Sequence, residues 1–430
     1  MRLARDFFIY EEKANVNIVK KLNFNRIQYA IFIFVTIITV FLLIVISPQR
    51  ISGDFDVYYH ASQFFLAKSP MYIPHHGIEE FKYLPLFALA FAPLAMLKET
   101  TALGLWSILN IILFYFMFYL LYKLKQISFT GIRDFLIVVC LFALTGRYLF
   151  DNIRIGQVNI LLCFFMLLAM YLAINRKDFW SGSVLALSLM IKLFPLLLLF
   201  YFFLTGRFKI VAYTFFMGAF FLLVPAIYCG VDLNFKYLQQ WYFLLKSSPA
   251  VLFYSVKNCS LLAFFSWFFI ARHEPYYIFD YGLITKTLTP EVYYVWLGSC
   301  FIFFSLFFYD VFFVKGKDLT IRYLDYSCLF VCSLLFNPLA YLNALIVLVV
   351  PYCFILRFLF YSPSGAKYKW TVGFLTLLGF ILLQIDNRFF FRDTWIFYVV
   401  LESKPLMWTV IIVYFSLLLI KKSDQKGMLV

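Results

Sequence analysis

The sequence predicts an all-α integral membrane protein, a polytopic bundle of about twelve transmembrane helices forming one domain over residues 1–430. Three observations carry this. Of 430 residues, 64% are hydrophobic and only 14% charged, with mean hydropathy +0.87. Soluble domains carry about 25% charged residues, and surplus apolar residues do not enlarge one soluble core, because long chains split into domains instead. Apolar runs close to the ~20 residues a helix needs to cross a bilayer recur along the chain. The net charge of +15 fits Lys- and Arg-rich cytoplasmic loops, so nucleic acid is not a predicted partner; membrane lipids are.

Taken in order, residues 1–26 are basic and read as a cytoplasmic N-terminus, followed by a retained first span over 27–47. A polar segment, 48–84, then lies on the outer face. Spans are predicted at 84–98, 101–123, 133–146, 157–174, 180–203 and 208–229, then a second long outer loop at 230–290. The last spans are predicted at 291–314, 323–337, 340–360, 369–386 and 404–421, with 421–430 as a cytoplasmic tail. Lys421 counts there as a topology charge. This order strands Lys123, Lys125, Arg176 and Lys177 outside. An alternative avoids that: 84–123 crosses once, and 180–203 folds as a re-entrant pair broken at Pro195. The simpler order is kept as the expectation. Either way both polar segments share the outer face.

The eight cysteines are scattered without a CxxC and read as small buried apolar residues, not as a disulfide framework or metal site. Rossmann and P-loop glycine patterns are absent, so no nucleotide site is expected. No cofactor and no metal are predicted.

The polar segment 51–86 carries the leading candidates. Phe55, Tyr58, Tyr59, Phe65 and Leu66 are spaced as on a short amphipathic helix at the membrane surface. At its start Asp54 reads as an N-cap. Asp56 reads as a solvated acid, facing away from Asp54 if the backbone is helical. Lys82 and Tyr83 read as anchors at the membrane boundary, and His60, His75 and His76 as solvated or packing residues. Arg147, Asp151, Arg154, Gln157 and Asn159 form a polar cluster between spans. It suits either a phosphate or topology charge with interhelical hydrogen bonds. Lys192 lies inside GSVLALSLMIKLFPLLLLF, where an uncompensated lysine costs about 2.5–3.5 kcal/mol; it reads as facing a cavity or a partner, for which a phosphate is suited, or as snorkelling beside the Pro195 break, near the outer surface if 180–203 is re-entrant. Asn258 and Ser260 open an apolar run. Asn337, Tyr341 and Asn343 flank the break at Pro338, placed to line an outward cavity or to cap helix ends.

In order, GDFDVYYHA, SPMYIP, FKYLPLFALAFAPLAML, GQVNILL, LALSLMIKLFPLLLL, NCSL and NPLAYLN resemble glycosyltransferase family 87, over roughly residues 50–355. The resemblance implies a GT-C-like helical membrane enzyme with its site on the outer face. It implies Asp54 as catalytic base, with Asp56 second. The sequence departs from the family where Asn337 and Tyr341 replace a serine and a tryptophan, and where Leu342-Asn343-Ala344 carries no histidine.

The expected activity is an inverting transfer of mannose or another hexose from a polyprenyl-monophosphate donor to a glycolipid or glycan acceptor. The expected place is the bacterial inner membrane, with the site facing the periplasm and both termini cytoplasmic. Asp54 and Asp56 are the catalytic candidates. Tyr58, Tyr83, Gln157, Asn159, Asn258, Ser260, Asn337, Tyr341 and Asn343 are the sugar-contact candidates. Lys192, then Arg147, Arg154 and Lys82, are candidates for the phosphate. The competing class is a transporter or lipid flippase; no paired half-helix breaks in two matching halves support it.

Overall fold

The computed structural model describes residues 53–73, 80–128, 131–246, 258–271, 290–313, 319–385 and 404–427, plus six helical positions between 33 and 41. Residues 1–26, His75, His76, 247–257 and 272–289 lie outside the described residues. Every regular element among those described is helical. In chain order they are α1 Asp54–Leu66, α2 Pro85–Ala95, α3 Glu99–Lys123, α4 Ile132–Ile155, α5 Asn159–Ile174, α6 Asp178–Ile191, α7 Leu196–Leu204, α8 Phe208–Leu223 and α9 Ala226–Cys229. There follow α10 Val231–Lys246, α11 Leu261–Ala271, α12 Pro290–Phe313, α13 Leu319–Leu335, a 3-10 helix Leu342–Leu348, α14 Val349–Tyr361, α15 Ala366–Ile385 and α16 Pro405–Gly427. Seven described helical segments are long and apolar enough to cross a membrane. The chain is a polytopic helical membrane protein.

Two predicted spans are built differently. The run at 84–98 holds only α2, 11 residues, or about 16 Å, about half of a bilayer core. Both of its ends return to α1. The Tyr83 hydroxyl, just before α2, lies 3.0 Å from that of Tyr58, and beyond α2 the Tyr59 hydroxyl donates to Leu97 O at 2.7 Å. α2 therefore lies on the surface helix, and α3 alone has spanning length.

The run at 180–203 breaks into α6 and α7. Lys192 is extended (φ −144°, ψ 152°), and Pro195 opens α7, where its ring and missing N–H exclude a continuous helix. Contacts between α6 and α8 climb together: Asp178 pairs with Arg207 at 2.6 Å, Gly182 abuts Ile210 and Thr214, and Met190 reaches Gly218. The two helices are parallel, so α7 between them must run back. The run is a helical hairpin with Lys192 near its tip, the shape that the re-entrant order predicts. Hydropathy alone reads two short apolar helices and one span alike.

The second polar segment is also not simply a loop. α10 packs on the first one, with the Tyr237 hydroxyl donating to Ser69 O at 2.8 Å and Trp241 Nε1 to Lys82 O at 3.1 Å.

At the end of the bundle remote from α1, Lys421 is buried against Asp325, with Nζ–Oδ1 2.7 Å, and Tyr201 of α7 donates to the other carboxylate oxygen at 3.3 Å. Lys421 is thus not a solvated tail charge. Removing one partner of a buried pair strands the other charge. Asp325→Ala is expected to destabilise the protein by about 3–5 kcal/mol, whereas Asp325→Leu with Lys421→Met is expected to recover most of this. Unfolding in mixed micelles measures both; equal midpoints for Asp325→Ala and wild type would refute the pairing.

Candidate functional site

The site forms where the first turn of α1 nests on the turn between α4 and α5. Two glycines permit the approach. Gly156 ends α4 in the left-handed region (φ +69°), and a Cβ there would stand 2.5 Å from Phe55 Cβ. A Cβ on Gly53 would stand 2.8 Å from Ile155 O. Trp106 of α3 holds the turn by donating from Nε1 to Gly156 O at 2.8 Å.

This nesting sets the role of Asp54. The N-cap of α1 is Gly53, not Asp54. Asp54 is the first helical residue, at the positive end of the helix dipole, and its carboxylate accepts from Gln157 Nε2. Gln157 Oε1 accepts from the Tyr58 hydroxyl at 3.5 Å. Tyr58 is packed edge-to-face against Tyr83 and Phe87, with ring centroids 5.1 and 5.0 Å away. Burial, then the neighbouring Tyr83 and Asp54, push the Tyr58 phenol well above its usual range; it stays a neutral donor.

Two residues beyond Gln157, Asn159 serves the opposite charge. Its Oδ1 accepts from Lys192 Nζ at 2.7 Å, and its Nδ2 donates to Asn343 Oδ1 at 3.0 Å. Asn343 sits in the 3-10 helix, and its carbonyl accepts from Asn152 Nδ2 at 2.7 Å. Lys192 and Asp54 attract each other electrostatically. One turn, Gly156–Asn159, thus holds an acid on one side and a cation on the other.

The remaining candidates divide. Because α1 is helical from Asp54, Asp56 points away from Asp54's face; its carbonyl meets His60 Nδ1 at 2.8 Å. Asn258 is fully buried and bonds backbone: Nδ2 donates to Pro338 O at 2.9 Å, and Oδ1 accepts from Ser260 N and Ala340 N, both at 3.1 Å. The Ser260 hydroxyl donates to the same Pro338 carbonyl and accepts from Ala263 N. These two residues clamp the Pro338 loop that leads to Asn343. Asn337 Oδ1 caps Leu339 N at 3.1 Å, and Tyr341 flanks the 3-10 helix as its N-cap. Arg147 donates to Leu383 O at 2.6 Å, Arg154 pairs with Asp151 at 3.2 Å, and Lys82 lies 3.9 Å from Glu80.

A comparison with family models matches residues 81–338, more than half of the chain, to glycosyltransferase family 87. The chain belongs to glycosyltransferase family 87. No curated protein and no solved structure matched it. The matched region of this family 87 member contains Tyr83, Gln157, Asn159, Lys192, Asn258, Ser260 and Asn337; Asp54 lies before it and Asn343 after it. Family membership makes the protein a glycosyltransferase, one that uses a sugar donor and an acceptor.

Sequence reasoning missed Asn152 and Trp106. Asn152 lies near the end of α4, beside Asp151 in the flagged polar cluster, and the logic that flagged Gln157 applies to it equally. Trp106, in LGLWSILN, gives no local sign that its indole N–H will hold a turn fifty residues away.

Proposed function

We propose that this family 87 protein is an inverting hexosyltransferase. It moves mannose or another hexose from a polyprenyl monophosphate to a glycolipid or glycan acceptor. The observation that carries the reading is the Gly156–Asn159 turn, which presents Asp54 through Gln157 and Lys192 through Asn159. Asp54 takes the proton from the acceptor hydroxyl as its oxygen bonds to the anomeric carbon. The bond from that carbon to the phosphate oxygen breaks on the opposite side, and the departing polyprenyl phosphate keeps the electron pair. The phosphate needs charge neutralisation, not a proton, and Lys192 supplies it. Lys192 ends on Asn159 of the turn that holds Asp54 through Gln157, whereas Arg147 and Arg154 end on the Leu383 carbonyl and on Asp151 and Lys82 lies beside Glu80, which favours Lys192 over them.

Lys123, Arg133, Arg176, Lys177, Arg207 and Lys367 gather at the end remote from Asp54, which supports a cytoplasmic position for that end and an outward-facing site. This sidedness suits the periplasmic face of a bacterial inner membrane.

Reconstituted protein given radiolabelled polyprenyl-phosphate-mannose and a cell-lipid extract is expected to form a new labelled glycoside, with inverted anomeric configuration by NMR. Failure with every hexosyl donor, together with sugar recovered unchanged across the bilayer, would replace transfer by transport.

A further inference from the structure

We propose that Gln157 is a positioning residue for Asp54 and not a sugar ligand. The proposal rests on Asp54 being the base. Gln157 is buried, and both ends of its amide are engaged within the protein. Each end keeps one further hydrogen-bonding position, so it is the burial of the amide, 6% exposed, that argues against a sugar contact.

Gln157 donates from Nε2 to the Asp54 carboxylate and keeps Oε1 within 3.5 Å of the Tyr58 hydroxyl. The Tyr58 hydroxyl also lies 3.0 Å from that of Tyr83, and either can be the donor there. The network delivers no proton, because an amide does not titrate and Tyr58 is held neutral. It holds the amide in place, and the Gln157 N–H fixes the plane of the Asp54 carboxylate. The aromatic packing around Tyr58 holds the network rigid, and the backbone turn at Gly156 sets where the amide starts.

The test is the pH dependence of transfer. Besides Gln157, Asp54 meets Tyr58 of its own helix and Lys192 at the tip of the α6–α7 hairpin, with Asp56 one turn-half along α1. Gln157→Glu leaves all of these in place and sets a second carboxyl against Asp54. Two carboxyls in hydrogen-bond contact cannot both ionise readily and titrate as a pair. The acid limb of the kcat profile is expected to move up by more than about one pH unit, with activity recovering on the alkaline side. Gln157→Leu is expected to lower kcat on the order of 10- to 100-fold with the donor KM unchanged. A second carboxyl that leaves the acid limb in place, or a Gln157→Leu loss confined to KM, overturns the proposal; the latter outcome marks a sugar contact. Melting in detergent confirms that each variant is folded. Asp54→Asn separates the two levels. If it retains transfer, the base assignment fails; if it is inactive while Gln157→Glu keeps the wild-type limb, only the role of Gln157 fails.

Discussion

Asp54→Asn is expected to reduce kcat by about 10²–10⁴-fold, the usual contribution of a positioned general base, with little change in stability. The substitution is nearly isosteric. Its side-chain oxygen can still accept from Gln157 Nε2, so the network with Tyr58 and Tyr83 survives. What is lost is the carboxylate's ability to take a proton. The loss is therefore expected in kcat, not in donor KM, and added acceptor should not rescue it. Asp56→Asn provides the control, because α1 turns that side chain away from the Gly156–Asn159 turn. It is expected to retain most transfer. Wild-type turnover by folded Asp54→Asn protein would remove Asp54 from the chemistry.

Lys192→Met is the second large expected effect, on the order of 10²–10³-fold in kcat, as for loss of one preorganised charge-stabilising donor. Methionine keeps an unbranched chain of similar length but brings no charge to the tip of the α6–α7 hairpin. It leaves Asn159 Oδ1 without its lysine donor, while the link from Asn159 Nδ2 to Asn343 remains. Lys192→Arg should restore only part of the rate, because a planar fork does not reproduce a compact ammonium. Steady-state kinetics against donor concentration read both variants. Undiminished turnover in Lys192→Met would move phosphate stabilisation to another cation.

How much of this was legible beforehand follows from particular residues. Lys192 announced itself, since a charge in an apolar run demands a partner, and Pro195 gave the break. The direction of the chain after that break was not legible. It is set by Asp178 meeting Arg207 and by Gly182 fitting beneath Ile210 and Thr214, contacts between segments that a hydropathy window treats separately. Asp54 looked like a cap because Ser52-Gly53-Asp54 before an amphipathic pattern is a common helix start. Its actual partner, Gln157, is 103 residues away. The resemblance to family 87 pointed to Asp54 where local reasoning preferred a cap. The sequence ranks Lys192 ahead of arginines 147 and 154 as the cation, and packing separates them further: one ends on an asparagine beside the acid, the others on a carbonyl and a half-buried aspartate.

The hairpin also constrains how the molecule is made. With 14 and 9 residues, α6 and α7 reach only about 21 and 13 Å, short of the ~30 Å hydrocarbon core. Neither can be handed to the lipid as a finished span. The extended backbone at the tip exposes polar groups that hydrocarbon cannot satisfy. It becomes tolerable only when Asn159 is in place on one side and α8 on the other. Partitioning of α6 and α7 into the bilayer must therefore wait until the ribosome has released α8, and docking of α7 on Asp325 must wait for α13. Lys192 thus settles only after much of the later chain has been made, and nascent chains cut short before α13 would carry the turn that holds Asp54 without a settled cation.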